Sequence, residues 1–314
     1  MSLSKTGKPR AKIVSALLSV VVLVASCNKQ EKPQAAQDKF ASPDDAAKAL
    51  VAAAKLGNDD AVLGVLGPGS RDVVSSGDAA KDKADLAGFA SDYDVMHRWR
   101  KLPNGSLLLI TGTDNKSFPL PLKNNGEGQW SFDVQAGREE IAARRIGRNE
   151  LAAMDICWEI ADAQQQYFSQ RHDGAKQYAQ KFISDNGQQN GLYWAEVSGQ
   201  PKSPLGPLIA FASAQGLTVQ PNQHQPFYGY YFAMLEKQGP DAKGGAKNYI
   251  ANGKMTGGFA VLAYPAQYRD SGIMTFILNQ NGVLLQKDVG PTTNEVASAM
   301  MEFNPDNTWK PVEQ

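Results

Sequence analysis

An α+β fold is predicted: N-terminal helices on an antiparallel meander, then a long helix packed on a second antiparallel sheet. Three observations predict it. Alanine and leucine recur at helical spacing near the start of the folded region. Short apolar runs separated by Pro103-Asn104-Gly105 and Asn124-Asn125-Gly126 follow, with the chemistry of hairpin turns. A seam at helical spacing from Leu151 then precedes a second set of short apolar runs. Helices and strands that segregate along the chain, rather than alternate, make an α+β layer arrangement. The 314 residues suggest two modest domains. The division expected is a signal peptide at 1–26, a tether at 27–39, and domains at 40–136 and 137–314.

The first element is not part of the fold. Residues 1–30 hold no acid, and Lys5, Lys8, Arg10 and Lys12 form a cationic stretch before the uncharged apolar run Ile13 to Ala25. A spanning helix needs about 20 apolar residues, so this shorter run fits the apolar region of a signal peptide. It ends in Val24-Ala25-Ser26-Cys27, which resembles the lipobox of bacterial lipoproteins. The resemblance implies acylation of the Cys27 thiol and cleavage before it. Asn28, rather than Asp, follows the cysteine, and the sorting habit of such lipoproteins then implies the outer membrane of a Gram-negative cell, facing the periplasm. Asn28 to Lys39 is rich in Gln, Lys and Ala without apolar periodicity and reads as the tether.

The first domain opens with Ser42 as N-cap, Pro43 in the first turn, and Asp44 and Asp45 at the positive end of the dipole. Ala46, Ala47, Leu50, Val51 and Ala54 keep helical spacing, and Gly57 ends the helix. Asn58 or Asp59 caps a second short helix that stops at Gly67-Pro68-Gly69, and helical turns follow around Lys81–Phe89. Val95–Leu102, Ser106–Gly112, Phe118–Lys123 and Gln129–Val134 read as the strands of the meander.

In the second domain a helix from Leu151 places Met154, Trp158, Ala161, Gln165 and Phe168 on one seam. Before it, Arg138, Arg144, Arg145 and Arg148 interleave with Glu139, Glu140 and Glu150, a pattern of paired charge on a solvated or inter-domain face. Residues 173–226 are rich in Gly, Gln, Asn and Pro and read as loop. Strands follow at Tyr228–Leu235, Gly258–Tyr264, Ile273–Asn279 and Val283–Asp288, the last two joined by a tight turn at Asn279-Gln280-Asn281-Gly282. A capping box of Thr292 and Glu295 starts a final helix expected to reach about Phe303.

Composition excludes several functions. The chain carries 32 basic and 32 acidic residues, without the cationic excess that phosphate binding needs, so no nucleic-acid partner is expected. With 42% apolar and 20% charged residues the chain is not globally disordered. Three His and two Cys are too few for a Cys-rich zinc module or a disulfide scaffold. Cys157 reads as a small core residue on a helix. HExxH, Gly-x-Ser-x-Gly, GxxxxGK[ST] and GxGxxG are all missing, and no catalytic residue, metal or cofactor is assigned. His97, His172 and His224 are far apart in sequence. Asn279, Asn281, Gly282 and Asp288 fit part of a calcium-loop template, but Ile277 occupies its first position, and the hairpin explains them better.

Aromatic residues crowd the second half: Tyr193, Trp194, Tyr228, Tyr230, Tyr231, Phe232, Tyr264 and Tyr268. Flat apolar rings with a polar handle are stacking platforms for sugars or peptides, although core packing uses the same residues. The loops carrying Tyr193, Trp194 and Ser203–Leu208 are too long for simple connectors. They are expected to fold back on the Tyr228–Leu235 strand and form a groove lined by Tyr193, Trp194 and Tyr230.

Several runs carry a family resemblance: Arg145-Ile-Gly-Arg-Asn-Glu-Leu-Ala-Ala153, Asn190-Gly-Leu-Tyr-Trp194, Ser203-Pro-Leu-Gly-Pro-Leu208, Tyr228-Gly-Tyr-Tyr-Phe232, Gly257-Gly-Phe259 and Gln280-Asn-Gly-Val-Leu-Leu-Gln-Lys-Asp-Val-Gly-Pro291. Together they resemble the bacterial domain of unknown function 2950 family from about Phe40 to Val312. One departure is visible: the family's Asp-Gly repeat is reduced here to Asp173-Gly174. The family brings no established activity. Residues 141–290 are also similar in layout to pilin-like periplasmic domains, and the first domain to NTF2-like or cystatin-like domains; these are fold analogies only. Two functions are weighed. The first is a non-catalytic envelope lipoprotein that binds or scaffolds, with the membrane as partner through the Cys27 lipid and an envelope protein or glycan as ligand. The second is a carboxylate-dependent envelope hydrolase acting on a polysaccharide or peptidoglycan-like substrate, which needs two converging carboxylates in an aromatic cleft.

Overall fold

The computed structural model describes residues 37–75, 78–214 and 225–313. Cys27, the signal segment and His224 lie outside them, as does the tether before Gln37. The α+β class is observed.

Helix α1, Pro43–Leu56, begins where Ser42 Oγ accepts the Asp45 N–H at 3.2 Å and ends at Gly57, whose φ of 63° takes the left-handed turn. Helix α2, Asp59–Leu66, is capped by Asn58, which accepts the Ala61 N–H at 2.8 Å. The short α3, Arg71–Val74, and α4, Ala79–Val95, complete the helical layer. Beneath it lies an antiparallel sheet of β1 His97–Lys101, β2 Leu107–Thr111, β3 Lys116–Ser117, β4 Leu122–Asn124 and β5 Trp130–Phe132, in the order β1-β2-β4-β5 with β3 on β2. Leu50, Val62, Leu66, Leu122 and Phe132 are buried together between the layers.

The next helix departs from the sequence reading. Helix α5 runs from Val134 to Ser169, 36 residues, capped by Asp133. It begins seventeen residues before Leu151 (about five turns). Gly137 causes part of this: a Cβ there would lie 2.5 Å from Leu120 Cγ, so only glycine seats the helix on the first sheet's connecting segment. Ion pairing supplies the rest. Arg144 binds Glu140 at 2.8 Å along the helix and reaches Ser117, while Arg138 pairs with Asp72 at 2.7 Å. The charge-rich stretch is therefore the first half of the helix. The buried seam is also rotated by one residue from the expected one. Ala153, Ile156, Cys157, Ile160, Ala163, Gln164 and Tyr167 face the core, while Met154, Trp158 and Phe168 are half-buried and Gln165 is exposed.

After α5 comes the hairpin β6 Arg171–His172 and β7 Ala175–Lys176. Its turn residues, Asp173 at φ 48° and Gly174 at φ 77°, are both left-handed, the conformation of a tight hairpin turn. Helix α6 spans Gly206–Ala214. The remaining strands are β8 Tyr230–Leu235, β9 Lys237–Gln238, β10 Lys247–Asn248, β11 Ile250–Ala251, β12 Lys254–Met255, β13 Ala260–Pro265, β14 Met274–Asn279, β15 Leu284–Asp288, β16 Glu302–Phe303 and β17 Lys310–Pro311. The main sheet has the antiparallel order β17-β15-β14-β13-β8. Every residue of β13 is buried, as a central strand covered on both faces requires. Helix α5 packs on β13 and β14.

The last helix is shorter than expected. Helix α7 covers Thr293–Ser298, and Thr292 makes no side-chain cap. The capping box does not form because Thr292 sits at φ −91°, ψ 15° rather than in the extended conformation that aims a cap side chain at the first turn. Thr293 Oγ1 donates to Gly290 O at 2.6 Å and turns the chain tightly before the helix. Glu302 and Phe303 then pair in parallel with Lys237 and Gln238, which ends any helical continuation.

Candidate functional site

Among the described residues of the second half, two clefts stand out. The first is built by the loops around Tyr193 and Trp194. Residues 181–184 run beside 191–193: Tyr193 N–H donates to Phe182 O and Ser184 N–H to Tyr193 O, both at 2.8 Å. Gly191 permits this approach, because a Cβ there would stand 2.8 Å from the Ile183 carbonyl carbon. The intervening loop is closed on itself. Asn190 accepts the Asp185 N–H at 3.0 Å and donates to the Asp185 carboxylate at 2.7 Å, and Tyr167 OH donates to Gln189 O at 3.1 Å. Lys181 and then Asn190 hold the Asp185 carboxyl below its ordinary range. Burial, aided by Asp173, pushes the Tyr167 hydroxyl up to about 12, so it stays a neutral donor.

Trp194 is 9% exposed, and its indole N–H donates to Pro201 O at 3.0 Å. Tyr193 is half-buried. Together with residues 183–189, Ala195, Val197 and Gln200 they line a cleft of about 550 Å³. Its rim presents the neutral amides of Asn186, Gln188 and Gln200, all exposed, above an aromatic floor.

Tyr230 lies elsewhere. It is fully buried in β8, and its OH donates to Met274 O at 2.9 Å. Its ring fills the space above Gly272, where a Cβ would lie 2.2 Å from the hydroxyl. Burial, with the nearby Glu150 carboxylate, pushes this phenol far above its ordinary value. Of the three aromatic residues singled out in the sequence, Tyr193 and Trp194 share a cleft and Tyr230 belongs to the core.

The second cleft was not anticipated. It lies between α5 and α6, encloses about 790 Å³, and is walled by Leu151, Ala152, Ile156, Leu208 and Phe211. Arg148, Asp155 and Glu159 stand along it, and Tyr228 borders it. Tyr228 adopts φ 48° in a two-residue turn with Gly229, closed by paired backbone bonds between Phe227 and Tyr230 at 2.7 and 3.0 Å. A left-handed tyrosine is a strained choice that its surroundings must impose. One element supports both the turn and the cleft: Asn149 donates to Ser271 O at 2.8 Å, against the glycine of the turn. Signals for this cleft were faint. Helix α6 is apolar almost all round, so its periodicity marks no face.

Asp82 is the sole carboxylate among the buried described residues, and it lies in α4, outside both clefts. Among the described residues no two buried carboxylates converge in an aromatic cleft, and no three metal-ligating side chains cluster. His97 and His172 each stack on a tyrosine near the end of a helix, His97 on Tyr93 and His172 on Tyr167, at ring separations of 3.8 and 3.6 Å. Cys157 is fully buried, and desolvation pushes its thiol up, away from the reactive thiolate. Among the described residues no helix is long and apolar enough to cross a membrane.

The architecture defines an α+β protein in which one long helix serves two antiparallel sheets. The chain belongs to the family described as protein of unknown function DUF2950, whose model matches residues 37–312. No curated protein and no solved structure matches it.

Proposed function

We propose that this protein is a non-catalytic lipoprotein of the bacterial envelope, anchored in the outer membrane by a lipid on Cys27 and facing the periplasm. Its binding site is the Tyr193–Trp194 cleft and its ligand a glycan. The pre-built character of that cleft supports this reading: aromatic floor, neutral amide rim, and a loop closed by the Asp185–Asn190 pair. Aromatic faces take the apolar faces of sugar rings, and amides match ring hydroxyls without charge. Asp185, the acid of the cleft loop, is engaged by Lys181 at 2.7 Å, which leaves the rim close to neutral.

Titration of the protein with N-acetylglucosamine oligomers, followed by calorimetry, tests the site. Micromolar to millimolar binding is expected, and Tyr193→Ala should weaken it about tenfold, the loss of one stacking contact of roughly 1.4 kcal/mol. Absence of binding, or equal binding by the variant, refutes the assignment. Metabolic labelling with a fatty-acid probe tests the anchor separately. Label is expected in the natural chain and not in Cys27→Ser.

A further inference from the structure

The α5–α6 cleft has features that ligand binding at Tyr193 does not use. Leu151 and Phe211, at its edges, are 60% exposed each, beside an apolar trough of about 790 Å³. Large apolar side chains left in water beside an apolar concavity mark an interaction surface. Charge is ordered along the same stripe of α5. Arg148 stands one turn before Leu151 and Ala152, Asp155 one turn after them, and Glu159 one turn further on. None of these three charged groups is ion-paired or hydrogen-bonded to another described residue.

We propose that this face is a homodimer interface, in which two copies pack α5 against α5 antiparallel about a two-fold axis beside Leu151 and Ala152. The surface is self-complementary in the way an isologous contact demands. Arg148 of one copy falls opposite Asp155 of the other, twice over, because the two are equally distant from the axis. Each copy supplies a projecting Phe211 and an apolar trough to receive it. Ala152 at the crossing lets the helices approach to the ordinary 8–10 Å. An acyl chain in the trough would satisfy the apolar walls and leave Arg148 and Asp155 without partners, so a second copy fits the whole surface better.

Cysteine crosslinking of the full chain in intact cells tests this arrangement. Ala152→Cys sits beside the axis and should form a disulfide-linked species of twice the chain mass under mild oxidation. Ala143→Cys, exposed on the opposite side of α5, is the control and should give little. Light scattering of the purified protein, with the mass of any bound detergent subtracted, supplies the second readout. Arg148→Asp should halve the mass, and the double variant Arg148→Asp with Asp155→Arg should restore it. That rescue separates lost pairing from lost folding. Equal crosslinking at positions 143 and 152, a crosslinked product of any other mass, or a dimer indifferent to Arg148→Asp would overturn the proposal.

Discussion

Glu150 Oε1 accepts the backbone N–H of Met274 at 2.9 Å, and that of Ile273 at the same distance, so a side chain in the middle of α5 starts the β14 strand. Neighbouring positions of α5 hold the same loop. Arg145 pairs with Asp270, and Asn149 donates to Ser271 O. Arg145, Asn149 and Glu150 thus clamp residues 270–274, and these three polar residues are explained by structure.

Removing the clamp should destabilise the fold. Glu150→Ala leaves two backbone donors without their charged acceptor, which costs about 2–4 kcal/mol. Glu150→Gln keeps an acceptor and should lose less. Urea unfolding of the two variants checks the order.

Gly191 allows no side chain. Gly191→Ala forces a Cβ against the backbone of Ile183 and Ser184, and overpacking of this kind costs about 1–3 kcal/mol. The melting temperature should fall, and the environment of Trp194, and with it the tryptophan fluorescence, should change. An unchanged melt would mean that the two segments separate easily.

Acid should weaken the protein through Asp133. Burial acts to raise this carboxyl, but the Ala136 N–H and Lys123 outweigh it and hold it below its ordinary 3.8. A depressed folded-state value gives stability that is present above the unfolded value and lost as pH falls through the folded one. The loss should begin near pH 4 and deepen below it. Asp133→Asn keeps the helix cap and removes the titration, so its urea midpoint should fall less steeply between pH 4 and pH 2.

Cys157 should be silent in the folded state. With no exposed surface and a raised thiol, it should react with Ellman's reagent only as fast as the protein unfolds. Immediate reaction in native buffer would contradict its burial.

What was legible in the sequence was local. The caps at Ser42 and Asn58, the stop at Gly57 and the turn at Asn279–Gly282 are decided within a few residues, and each forms as read. The first half of α5 was hidden because its apolar contacts with the first core are sparse, Val134 and Ile141 among the described residues, and the rest of its support comes from ion pairs and the seat on Leu120. Strands as short as β9 and β16 carry no periodicity at all; Lys237 meets Glu302 only through the fold. At the candidate site, Tyr193 and Trp194 were visible as an aromatic pair in a long loop. The fate of Tyr230 was not, since Gly272 and Met274, more than forty residues on, decide it.

The 36-residue α5 also sets how the molecule can come apart. Val134 and Ile141 pack in the first core, and Ala153 onward in the second. If either core melts, the half-helix it held loses the tertiary packing that supplies most of a helix's stability in a protein. The loss then frays toward the other core through Glu150 and Arg144. Melting of one sheet is thereby an event that the other registers, and the cooperativity of unfolding, more than the geometry of either cleft, is the property this shared helix controls.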